Sequence, residues 1–85
     1  MSNDSVGMYA VLDVKSGLYD IPFFSRNDQL ARRRFILDCR AGVEKNMLAS
    51  FKDEFELRRV GTFHQLSGEF NSENEIIIKG KEVEL

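Results

Sequence analysis

The chain has 85 residues, 42% of them apolar, with seven Phe, two Tyr, no Trp and a formal net charge of −2. A chain of this length makes one domain, burying only about 60–65% of the surface its unfolded form exposes. Its lone cysteine, Cys39, excludes an intramolecular disulfide framework. The negative charge argues against an indiscriminate cationic coat for nucleic acid, and no run approaches the roughly 18 apolar residues of a membrane span.

In chain order, residues 1–7 are polar or small and are expected to be loose, followed by a single domain over 8–79 and a frayed tail over 80–85. Met8 to Val14 is rich in strand formers and ends at Lys15-Ser16-Gly17, which reads as a first strand and a turn. Leu18 to Ser25 can return antiparallel beside it. Pro22 has no N–H to give to a ladder, so that segment belongs on an edge or at a bulge. Asn27 is a good N-cap, Asp28 suits a first helical turn, and Leu30 to Ala41 contains neither Gly nor Pro, so a helix is expected there with Gly42 as its stop.

At 100° per residue, Leu30, Ala31, Phe35, Leu37, Cys39 and Ala41 share one broad arc of this helix, and Gln29, Arg32, Arg33, Ile36 and Arg40 share the other. Arg34 lies toward the apolar side and is expected to snorkel from its edge. Glu44 to Glu54 reads as a loop with a helical turn at Met47 to Phe51. From Phe55 the pattern alternates, with Phe55, Leu57, Arg59, Gly61 and Phe63 on one side and Glu56, Arg58, Val60, Thr62 and His64 on the other. Leu66-Ser67-Gly68 turns that strand, Glu69-Phe70 begins a return, and Glu75 to Lys79 is a last short strand or arm. The fold class is α+β: a small antiparallel β-sheet packed against one main α-helix, in the order ββαβ with C-terminal strands or an arm.

Charge is unevenly distributed. Residues 26–45 carry six basic side chains (Arg26, Arg32, Arg33, Arg34, Arg40, Lys45) against three acidic ones, whereas residues 69–85 carry five Glu against Lys79 and Lys81. A basic middle and an acidic end suit one anion-binding surface with a tail facing elsewhere.

Taken together, Val11-Leu12-Asp13-Val14-Lys15, Tyr19, Pro22-Phe23-Phe24, Asn27, Ala31, Arg34-Phe35, Asp53-Glu54-Phe55-Glu56-Leu57, Gly61-Thr62-Phe63 and Gly68-Glu69-Phe70 resemble a phage family. It is the small nonstructural DNA-binding protein of gokushoviruses, single-stranded-DNA phages of the Microviridae. The order and spacing of these positions over residues 8–70 carry the likeness; no one motif does. His64 departs from it, since relatives often have an acidic residue after the Gly-x-Phe. The resemblance implies a role in genome replication, helping synthesis shift from duplex DNA to single-stranded genomes for packaging, in the host cytoplasm. It supplies no binding residues.

Those come from the chain itself. Arg26, Arg32, Arg33 and Arg40 are the first candidates for tracking a phosphate backbone, with Arg58 and Arg59 as helpers. The competing reading is a solvated helix face with ion pairs to Asp28 and Asp38. Only one of Phe23 and Phe24 can face the core, and the other, Phe24 if exposed, can stack on an unpaired base, make a subunit contact or belong to a second small core. Asp53, Glu54 and Glu56 alternate around Phe55 and lack a His partner or phosphate loop, His64 has no nucleophile nearby, and Cys39 sits on the apolar arc. No enzyme, metal or cofactor is expected. The expected partners are DNA, single-stranded by preference, and a second copy of the chain, because a small core beside an aromatic edge leaves apolar surface uncovered. The rival from another class is a module that holds a phage or host replication protein.

Overall fold

A computed structural model describes residues 4–41 and 51–84. The elements are β1 (Ser5–Asp13), β2 (Leu18–Tyr19), β3 (Phe23–Ser25), α1 (Asp28–Cys39), a 3₁₀ turn (Lys52–Glu54), β4 (Phe55–His64), β5 (Phe70–Lys79) and a second 3₁₀ turn (Gly80–Glu82). The class is α+β, a five-stranded antiparallel sheet with one helix. The order of elements is β-β-β-α-β-β, one strand more before the helix than the expected ββαβ with C-terminal strands or an arm. The extra strand arises at Pro22: β2 pairs with Leu12 and Asp13, β3 pairs with Gly7 to Tyr9, and the chain between them leaves the ladder.

β1 begins at Ser5 rather than Met8, so the expected loose segment is strand for its last three residues, and buried Ser5 and Gly7 lie within it. On its other side β1 pairs along its whole length with β4, which in turn pairs with β5. β5 is one ten-residue strand, where a short return and a separate terminal strand were expected. The hairpin between β1 and β2 is held by Asp13, whose carboxylate accepts from the backbone N–H groups of Lys15 (3.0 Å) and Ser16 (3.3 Å).

Asn27 caps α1, its side-chain oxygen accepting from the Leu30 N–H at 2.9 Å. The stripe that meets the sheet is Ala31, Phe35 and Cys39, each about 1% exposed and four residues apart. The broad arc drawn from the sequence is therefore too wide. Leu30 and Leu37 are 51% and 58% exposed, because the helix rests on the sheet through one narrow line of contact. Around that line Tyr9, Leu57, Ile78 and Val83 complete the core, with Val11, Phe23, Ile36, Phe55 and Ile77 at its margin.

The alternation read along β4 also breaks. Tyr9 faces Arg59 and Met8 faces Gly61, so Val60 is an extra residue on β4 and the strand changes sides there. Phe55, Leu57, Arg59, Thr62 and His64 face the helix side, whereas Glu56, Arg58, Val60, Gly61 and Phe63 face the opposite, open side. The ring of Phe70 lies against Gly61, where a Cβ would overlap it unless the ring shifted. The tail is not frayed as expected. Gly80–Glu82 forms a turn, Val83 is 5% exposed in the core, and a Cβ on Gly80 would overlap the Lys52 carbonyl. The Lys52 ammonium donates to the Gly80 carbonyl at 3.2 Å, tying the entry of β4 to the chain's last turn. Gly42 and all but Phe51 of the helical turn expected at Met47 to Phe51 lie outside the described residues.

Candidate nucleic-acid interface

The outer side of α1 carries a shallow trough of about 510 Å³ lined by Gln29, Arg32, Arg33, Ile36, Leu37 and Arg40. The helix sets this arrangement. With Ala31, Phe35 and Cys39 pinned to the sheet, residues 29, 32, 33, 36, 37 and 40 turn outward together. Arg32, Arg33 and Arg40 are all exposed. Arg40 donates from Nε to the Glu84 carbonyl at 2.9 Å, and its terminal nitrogens make no hydrogen bond among the described residues.

The ion pairs that would neutralise this face are absent among the described residues. Asp28 turns away from the helix surface to Arg59, whose Nη1 donates to its two oxygens at 2.8 and 2.6 Å. Asp38 makes no ion pair, and no carboxylate lies within salt-bridge distance of Arg26, Arg32, Arg33 or Arg40 among the described residues. The Arg34 guanidinium carbon lies over the ring of Phe23, 4.2 Å from its centroid.

Of the seven sequence candidates, the helix thus gathers Arg32, Arg33 and Arg40. Arg26 is exposed at the junction of β3 and α1, outside the trough. Arg59 is a correction. Its guanidinium donates to Asp28, to Glu73 (Nε, 3.2 Å) and to Glu75, so it is a structural tie with four of its five N–H donors committed to carboxylates. Four elements meet in that tie, because the Tyr9 hydroxyl on β1 also donates to Asp28 at 2.6 Å.

The electrostatics follow. Burial opposes ionisation of Asp28, but the hydrogen bonds from Arg59 and Tyr9 outweigh it and hold the carboxyl below its usual range. The bond to Asp28 raises Arg59 above the ordinary guanidinium value. Burial first, then the bond to Asp28, raises Tyr9 well above a free phenol.

Arg58 lies on the open side, donating to the Asn74 side chain at 2.8 Å and pairing with Glu56 at 3.4 Å. Phe24 is on the open side too, 57% exposed and edge-on to Phe63 with centroids 6.5 Å apart, while Phe23 stacks on Tyr9 at 5.9 Å on the helix side. Phe24 and the arginine trough are therefore on opposite sides of the sheet.

Sequence reasoning missed that Phe24, Phe63 and Phe70 share the open side, because the bulge at Val60 hides which residues share a side. The remaining polar candidates are structural contacts. His64 lies 3.3 Å from the Ser5 hydroxyl and 3.0 Å from the Asn71 amide. Lys15 pairs with Glu54 and Lys52 with Asp53. Cys39 is in the core, and burial raises its thiol pKa. No group of three His, Cys, Asp or Glu side chains suited to a metal occurs among the described residues.

Comparison with known proteins gives one family whose model, described as "Phage ORF5 protein", matches residues 6–83. No curated protein and no solved structure matches the chain.

Proposed function

Given that the chain belongs to the Phage ORF5 protein family, and so to a family of phage proteins, we propose that it is a nonstructural DNA-binding protein of the gokushovirus kind. In this reading it favours single strands and assists the switch from duplex replication to synthesis of single-stranded genomes for packaging. It acts in the host cytoplasm, stoichiometrically and without cofactor.

The observation that carries the reading is the trough on α1, where Arg32, Arg33 and Arg40 stand side by side with no carboxylate partner among the described residues. Three unneutralised guanidinium groups on one surface attract a polyanion despite the net charge of −2. Each phosphate they neutralise releases condensed counterions, which gives the affinity its salt dependence. Asp28, Glu73 and Glu75 are occupied by Arg59. Exposed Leu37 and half-buried Ile36 beside the arginines offer apolar contact to sugars and bases.

The test is a titration of labelled single- and double-stranded oligonucleotides at two salt concentrations. Binding that tightens as salt falls, and is stronger for the single strand, is the expected result. No binding to either at low salt overturns the proposal and leaves a module that holds a replication protein as the better account.

A further inference from the structure

Helix α1 has two flanks beside the line of Ala31, Phe35 and Cys39 that meets the sheet. Arg32, Ile36 and Arg40 stand on one flank and belong to the trough, whereas Arg34 and Asp38 stand on the other. Beside this second flank the sheet continues to its edge at β2, and the chain leaves the ladder between Tyr19 and Phe23. Helix, sheet and departing chain enclose a hollow of about 530 Å³. Val11, Leu18, Phe23 and Phe55 form its floor on the helix side of the sheet, and Tyr19 and Ile21 close it toward the departing chain. Leu18 and Ile21 are 70% and 85% exposed, so apolar side chains meet water here. Volume and lining are those of a ligand site, where mainly apolar walls of about 300–1,000 Å³ carry a few polar groups.

The charged groups at its walls are Asp13, Asp20, Asp38 and Arg34, three carboxylates against one guanidinium. Arg34 and Asp38 have the four-residue spacing of a helical ion pair. They do not form it, since Arg34 lies over the Phe23 ring. None of the three carboxylates has a cation within salt-bridge distance among the described residues. Asp13 is engaged by the turn after β1, and Asp20 accepts from the N–H of its neighbour Ile21 at 2.8 Å. The Asp38 side chain makes no hydrogen bond among the described residues.

We infer that this hollow is a docking site for a short basic segment of a protein partner, an Arg or Lys set beside an apolar residue. Charge selects that occupant. A polyanion is repelled by the carboxylates, and a wholly apolar ligand takes water from them without replacing its hydrogen bonds. A guanidinium or ammonium group instead gives charge-assisted hydrogen bonds to Asp38 and Asp20. The adjoining apolar residue covers Leu18 and Ile21, which a small free cation leaves in water. Arg34 on Phe23 already shows a guanidinium held over a ring of this hollow, and Tyr19, 44% exposed, offers a further ring. The two flanks of α1 thus differ in charge, and the hollow takes its partner whether or not the trough holds nucleic acid.

Amide NMR spectra of the whole chain, titrated with a short peptide that alternates Arg and Leu, test the site. Shifts are expected at Val11, Leu18, Tyr19, Ile21 and Phe23, and much smaller ones from twin peptides carrying Gln or Glu in place of Arg. Asp20→Asn combined with Asp38→Asn alters two exposed side chains and should weaken binding about 5-fold with unchanged circular dichroism. Ile21→Ser should weaken it too. Glu69→Gln combined with Glu84→Gln removes the same charge from exposed positions elsewhere and should leave the affinity nearly unchanged. Equal weakening by the two double variants means that the peptide answers to net charge alone and overturns the site. Absence of shifts, shifts centred on Glu73, Glu75 and Glu82, or equal shifts from either twin overturn it as well. A single-stranded oligonucleotide that shifts Leu18 and Ile21 and displaces the peptide gives the hollow to nucleic acid, and the inference fails. An oligonucleotide that binds nowhere on the chain refutes the function proposed above and leaves the docking site standing.

Discussion

Replacing Arg32, Arg33 and Arg40 together by alanine should remove the salt dependence that the trough supplies while leaving the domain folded. Each phosphate contact on a single strand contributes about 0.7 to the slope of log affinity against log salt, so three contacts contribute about 2. Between 50 and 200 mM salt that slope amounts to a change in affinity of about 20-fold, and the triple variant should lack it. The stability cost is small. Arg32 and Arg33 are exposed and make no hydrogen bond or ion pair within the described residues, where substitutions usually shift stability by less than about 0.5 kcal/mol. Arg40 adds the loss of its bond to the Glu84 carbonyl, worth about 1 kcal/mol. Fluorescence anisotropy with a labelled single strand at four salt concentrations gives the slope, and circular dichroism with a urea titration checks the fold. A triple variant that keeps the parent slope and affinity while folded shows that the helix face is merely solvated.

The Arg59 tie makes the next expectation. Arg59→Leu strands Asp28, Glu73 and Glu75 together and should cost about 2 kcal/mol in urea unfolding, a figure reduced for the exposure of the carboxylates; an unchanged midpoint would refute the tie. Because the Asp28 carboxyl is held below its unfolded value, its contribution is complete above about pH 4 and is lost as pH falls through its native pKa. Urea midpoints from pH 7 to 2 should therefore fall less in Asp28→Asn than in the parent. Phe35→Ala opens a cavity at the centre of the core and should cost about 3–5 kcal/mol, enough to leave a small domain largely unfolded on thermal denaturation. Gly80→Ala drives a Cβ against the Lys52 backbone and should cost about 1–3 kcal/mol, whereas a wild-type melting temperature would mean that the last turn is not packed there.

What the sequence revealed and what it hid divide along local and non-local lines. Asn27 as cap and Pro22 as a break in the ladder act through their own backbone and immediate neighbours, so both are legible. The clustering of Arg32, Arg33 and Arg40 follows from helical spacing alone. The parity of β4 is not legible, because the extra residue Val60 is defined only by its opposition to Met8 and Tyr9, some fifty residues earlier. Arg59 looked like an available cation for the same reason. Its partners are 31, 14 and 16 residues away, and no local pattern announces them. Val83 follows polar residues and carries no periodic signal, yet the sheet returns it to the core beside Ile78.

The junction of Tyr9, Asp28, Arg59, Glu73 and Glu75 has a kinetic consequence. Its members come from β1, α1, β4 and β5, so it closes only after distant stretches of chain have met. Any partly assembled form that docks β5 and the helix without Arg59 in place brings three carboxylates together with nothing between them. Repulsion then disfavours that form, while the completed junction is stabilised by every bond at once. The arrangement discourages half-built species and biases the chain toward all-or-none folding. Slow closure followed by one cooperative step is the expected signature, with Arg59 contributing late and its loss felt chiefly in the unfolding rate.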